Sequence, residues 1–78
     1  NLVSNAGVVA TDVTGVGTAR AYLAACEYGA DKAIFGYGET SDGNVSSLSN
    51  LVSNAGVVAT DVTGVGSARR NLAACSYN

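Results

Sequence analysis

The sequence contains no histidine, tryptophan or methionine, one phenylalanine (Phe35), and four basic against six acidic side chains in 78 residues. Without histidine, neither a Ser-His nor a Cys-His nucleophile nor a His-ligated metal site can be built within the chain. We therefore expect a protein that is not an enzyme and carries no cofactor. The net charge of −2 offers no electrostatic footprint for nucleic acid or an anionic membrane. No apolar run approaches the roughly eighteen residues of a membrane span, and the N-terminal stretch lacks the basic, apolar and cleavage regions of a signal peptide. A soluble chain is expected.

Large side chains are scarce too. Thirteen residues are Ala and eleven are Val within an apolar share of 47%. A chain of this length buries only about 60% of its unfolded surface. Stability must then come from close backbone packing and hydrogen-bonded ladders, or from neighbouring chains.

What is present is repetition. The seventeen letters "NLVSNAGVVATDVTGVG" at residues 1–17 return unchanged at 50–66, and residues 1–29 match 50–78 at 24 of 29 positions. The mismatches are Thr18/Ser67, Ala21/Arg70, Tyr22/Asn71, Glu27/Ser76 and Gly29/Asn78. A period of 49 residues signals a solenoid, propeller or array. Cys26 and Cys75 lie one period apart. Equivalent positions on stacked sheets sit about 10 Å apart, beyond the roughly 7 Å Cα limit of a disulfide, so both read as small buried apolar residues.

Four strand-like runs fill one period: Leu23 to Tyr28, Lys32 to Tyr37, Ser46 to Ser53 and Val57 to Val62. The turn "GAD" separates the first two, and the Gly- and Asp-rich loop Gly38 to Asn44 precedes the third. Before the fourth, Asn54 is expected to close an Asx-type turn and Gly56 to take positive φ. Helix competes over residues 19–28, since Ala, Leu, Glu and Arg favour it. Against helix stand Asn and Ser in the companion copy "ARRNLAACSYN" and the glycines at 29, 36 and 38, which leave too little uninterrupted length.

The expected fold is all-β, a β-propeller-like repeat of about 49 residues per four-stranded blade. Residues 1–19 would supply the last two strands of one blade and a linker, 20–68 a complete blade, and 69–78 the first strand of a third. Open strand edges in such a piece should pair with other copies of the repeat or with other chains.

The stretch "TARAYLAACEYGADKAIFGYG" resembles the kelch repeat, with Arg20 before the small-residue pair Ala24 and Ala25, then Asp31, Ile34, Phe35, Gly36 and Gly38. Tyr37 interrupts the kelch double glycine, and the later Tyr and Trp of that pattern are missing. The chromosome-condensation regulator type of propeller repeat is similar as well, with Phe35 and Gly36 where Trp and Gly belong. More closely, the blocks "NLVSN", "GVVATD", "TGVGTAR" and "DKAIFGYG" resemble degenerate tandem repeats of large virion or tail-fibre proteins of aquatic bacteriophages. That resemblance spans essentially all of the chain. It implies a structural and host-recognition module, located on a virion or extracellular surface, and transfers no catalytic residue. A carbohydrate-binding lectin or adhesin propeller, unrelated to a virion, is the alternative.

The candidate sites are few. "GVGTAR" and "GYGETS" complete neither G-x-G-x-x-G nor a phosphate loop and read as turns. Glu39, Asp42 and Asn44 offer oxygens for Ca²⁺, although their spacing departs from the EF-hand loop and a solvated turn is the better reading. Asp12 with Arg20, and Asp61 with Arg69, bracket the link between blades and suggest a structural ion pair or loop clasp. "NVS" at Asn44 fits the N-glycosylation pattern on an exposed loop. Tyr28 and Tyr77 are repeat-equivalent and read as core. Variation on a fixed scaffold is what a binding face displays, which points to Tyr22, Glu27, Arg70 and Asn71 as candidate contacts, with glycans as candidate partners.

Overall fold

In the computed structural model, which describes residues 1–77, Asn78 lies outside the described residues, and with it the Gly29/Asn78 mismatch and the last position of the expected third unit. Alternating residues in "AACEY" and "KAIFG" make two strands, β1 (Ala24–Tyr28) and β2 (Lys32–Gly36), paired antiparallel with Ala25 opposite Phe35 and Glu27 opposite Ala33. The turn between them holds Gly29 at φ 60° and Ala30 at φ 70°. Lys32 and Asn54 both donate to the Asp31 carboxylate, at 2.8 and 3.1 Å, and so tie this turn to the next hairpin.

β3 (Ser49–Val52) pairs antiparallel with β2, Phe35 opposite Asn50 and Ala33 opposite Val52, in an open three-stranded sheet of order β1-β2-β3. No helix occurs among the described residues, and residues 19–28 in particular are not helical. The fold is all-β, and the strands are shorter than their sequence runs. Past β2 the chain breaks strand geometry at Tyr37 (φ 64°) and Gly38 (φ 96°), and Glu39 then bridges Ala21 on one side and Val45 on the other.

The fourth run is not a continuous strand. Val58 bridges Val52 and Val62 bridges Ser49, so four residue steps on one side oppose three on the other. One extra residue therefore bulges near Thr60 and Asp61, bending the chain and turning the Asp61 side chain inward. Within the bulge the Asn50 side chain replaces the ladder, its Nδ2 donating to the Ala59 carbonyl at 3.1 Å.

Identical letters give identical local structure. In both copies the loop serine closes a tight hairpin: Ser4 N donates to the Val8 carbonyl at 2.9 Å and Ser53 N to that of Val57 at 3.0 Å. Each serine Oγ accepts from two backbone amides, Ala6 and Val8 in one copy and Ala55 and Val57 in the other, at 3.2 Å. This corrects the expected Asx turn, because Ser53 closes it while the Asn54 side chain reaches Asp31. Gly56 takes the expected positive φ, 77°.

One face of the sheet carries Ala24, Cys26 and Ile34, which share a cleft with Leu72 and Ala74 of the second copy. On the other side Phe35 shares a cleft with Val13 to Val16 of the first copy and with Val57. The repeats thus lie on both sides of the sheet. No hydrophobic side chain among the described residues is buried; Asn50 is wholly buried, and Gly36 and Gly38 are the other buried positions. The accessible surface is 5586 Å², against about 4,300 Å² expected for a closed monomer of this mass. The expected core positions change accordingly: Tyr77 is 95% exposed and Cys75 is exposed, with no further layer over them among the described residues, while Tyr28 and Cys26 are half-buried. Both cysteines are free.

Candidate functional site

The polar centre of the molecule joins one copy of the repeat to the next. "GTAR" at Gly17 to Arg20 lies against the bulged segment, with Gly17 at φ 80°. A Cβ on Gly17 would run into Asp61 Oδ1 and lie 2.8 Å from Asn50 Nδ2, so only glycine allows this approach. Thr18 then donates to the Asp61 carboxylate twice, from its backbone amide at 3.2 Å and its hydroxyl at 2.6 Å. Asn50 Nδ2 adds a third donor at 2.9 Å. These bonds, Thr18 first and Asn50 next, hold the Asp61 carboxyl below the usual carboxylate range.

Arg20 completes the clasp. Its Nη1 donates to the Leu48 carbonyl at 2.6 Å and its Nη2 to Asn50 Oδ1. The guanidinium carbon lies 5.7 Å from the centroid of Phe35, the residue paired with Asn50 across the sheet. This corrects the ion pairs read within each copy. Asp12 accepts from Asn1 at 2.7 Å, and Arg20 serves Asn50, so the clasp runs between copies. Arg69 stacks on Tyr37, 5.5 Å from the ring centroid.

A second constellation forms at the start of β1. Tyr22 (φ 57°, 60% exposed) accepts a backbone bond of 2.9 Å from its repeat-equivalent Asn71 (φ 56°). Beside them Arg70 donates to Glu39 at 2.6 Å. Three of the four candidate contact residues, Tyr22, Arg70 and Asn71, therefore lie together. Glu27 lies near the far end of β1, in a cleft with Asp31 and Asn54. Tyr22 also lines a shallow cleft with Glu39 and Thr40.

The oxygens considered for Ca²⁺ are engaged otherwise. Asp42 accepts from the Thr40 hydroxyl, from the Asn44 amide at 3.2 Å and from the Asn44 side chain at 3.1 Å, while Glu39 serves Arg70. Asp42 is held below the usual carboxylate range, chiefly by the Thr40 bond. No group of three metal-ligating side chains occurs among the described residues.

Sequence reasoning passed over Asn50, Thr18 and Gly17. The signal for them was the pairing of Asn1 with Asp12 and of Asn50 with Asp61, eleven residues apart in both copies. The chain matches no family model, no curated protein and no solved structure.

Proposed function

We propose that the chain is a non-catalytic structural and recognition module, a repeat of a virion fibre or surface protein whose period forms a four-stranded propeller blade. The observation that carries this reading is the seating of Thr18 and Arg20 on Asn50 and Asp61 of the next copy. A polar clasp built from repeated letters around the buried Asn50 serves to stack units in fixed register. Val57 to Val62, lying along β3 and interrupted by the bulge, supports the fourth strand. The likeness of the repeated blocks to bacteriophage tail-fibre text supports the virion setting.

The test is to lengthen the array by whole 49-residue periods. Each added period contributes one more clasp, so the thermal midpoint should rise with copy number. A midpoint independent of copy number would refute the reading.

Tyr22 favours a second reading, a glycan-binding lectin or adhesin outside any virion. Its exposed ring stands beside Arg70, Asn71 and a shallow cleft, an arrangement suited to stacking on a sugar. Binding to a glycan panel that is lost in Tyr22→Ala would support it, and no binding by the wild-type protein would exclude it.

A further inference from the structure

The contacts that the first copy makes on the second have counterparts left unfilled on the outer side of each copy. Asn1 Nδ2 donates to the Ala10 carbonyl at 3.0 Å and to Asp12 Oδ1 at 2.7 Å. Asn50 does the same toward Ala59 and Asp61 at 3.1 and 2.9 Å. The receiving half of the clasp is therefore formed twice. Asp61 also receives Thr18 and Asn50 also receives Arg20, whereas among the described residues nothing occupies those places on Asp12 and Asn1.

The inserting half is also formed twice. Gly66 has φ 79° against 80° for Gly17, and Asn71 has φ 56° against 57° for Tyr22, so residues 66–71 begin and end in the conformation of 17–22. Ser67 and Arg69 are exposed, and the terminal nitrogens of Arg69 make no hydrogen bond among the described residues. An apolar contact repeats the pattern. Leu2 covers Gly56, its Cδ2 lying 2.6 Å from where a Cβ would sit, while Gly7 has open space and Leu51 is 39% exposed.

We propose that two copies of this chain associate head to tail: Ser67 and Arg69 of one molecule dock on Asp12 and Asn1 of the next, and Leu51 of the first covers Gly7 of the second. The partner follows from what fills the equivalent site inside the molecule, which is another copy of the same text. This inference rests on the reading of the chain as a repeat module. The contact is heterologous, so it propagates into a filament or closes into a ring. The surface in excess of a closed monomer, about 1,300 Å² per chain, lies at the low end of standard interfaces.

The test is sedimentation equilibrium of the 78-residue chain at concentrations up to about 1 mM. Wild-type protein should self-associate. Gly66→Ala, which in the isolated chain meets only Tyr37 Oη at 3.6 Å, should weaken association about tenfold or more, because its Cβ would strike the docked Asn1 and Asp12. Asp12→Arg and Arg69→Asp should each weaken it, and mixing those two variants should restore a one-to-one complex through the one unaltered junction, in which Ser67 and Arg69 of the Asp12→Arg chain meet Asp12 and Asn1 of the Arg69→Asp chain. A chain that stays monomeric, or association unchanged by these substitutions, would overturn the proposal. Circular dichroism of each variant separates loss of docking from loss of fold. If the internal clasp passes its own tests while the protein remains monomeric, the module reading stands and this inference fails.

Discussion

Asn50 Nδ2 donates to Asp61 Oδ1 at 2.9 Å across a one-residue bulge, so the one wholly buried polar side chain among the described residues holds the carboxylate that receives Thr18 from the preceding copy. Close-packed hydrocarbon does not organise this fold. Ala and Val strands supply a backbone frame, and a hydrogen-bonded polar cluster, in which the Arg20 Nε alone is buried without a partner among the described residues, fixes how one repeat meets the next.

Asn50→Ala should destabilise the protein by about 2–3 kcal/mol, because it strips the Ala59 carbonyl and the Asp61 carboxylate of a donor and leaves the Arg20 guanidinium with the Leu48 carbonyl alone. That corresponds to a fall in thermal midpoint of roughly 10–20 °C for a domain of this size. Asn1→Ala alters the same letter of the other copy at an exposed site and should cost less than about 0.5 kcal/mol. Thermal melts of the two variants, followed by circular dichroism, make the comparison.

Gly17→Ala and Gly7→Ala both place an alanine at positive φ, 80° and 78°. Only the first brings a Cβ into Asp61 and Asn50, whereas the second points into open space. Gly7→Ala should cost about 1 kcal/mol, the left-handed penalty alone, and Gly17→Ala clearly more. Equal losses in urea titrations would mean that the clasp contributes nothing.

Ala30 is an L-residue at φ 70° in the β1–β2 turn. Ala30→Gly removes that strain at some cost in chain entropy and should stabilise the protein by about 0.5–1 kcal/mol, measured as a higher urea midpoint with unchanged slope.

Asp61, Asp31 and Asp42 are each held below their ordinary range, by the Thr18 bond foremost, by the Lys32 bond foremost and by the Thr40 bond foremost. A carboxyl whose folded pKa is depressed adds stability above its unfolded value of about 3.9, and loses it as pH falls through the folded value. Stability should therefore be level from neutral pH down to about pH 5 and decline below about pH 4. Asp61→Asn should flatten part of that decline, and a pH series of urea midpoints reads it directly.

Much of the backbone was legible. The runs "LAACEY" and "KAIFGY" and the turn between them gave β1 and β2, because small alternating residues and nearby glycines leave a helix no length. The fourth run was legible only in part, since a bulge depends on a partner strand that local propensity does not see. The expected core positions at Tyr77 and Cys75 were misplaced for a related reason: repeat equivalence predicts equal burial only where the same neighbours surround both copies. Asp61 was noticed for its charge, yet its partners Thr18 and Asn50 are neutral, and pairing acids with bases within one copy pointed to Arg69 instead. Tyr22, Glu27, Arg70 and Asn71 were singled out by the mismatches alone, which carry no information on proximity: the first, third and fourth lie together, and Glu27 lies apart.

The most direct test of the account is a double-mutant cycle between Arg20→Met and Asn50→Leu, with stability measured by urea unfolding. Arg20 belongs to one copy and Asn50 to the next, and their side chains hydrogen-bond across the join. The account predicts a coupling energy of about 1 kcal/mol or more, so that the double variant is far less damaged than the sum of the singles. Losses that add to within about 0.3 kcal/mol would contradict it, since the two copies would then not be held together by this clasp.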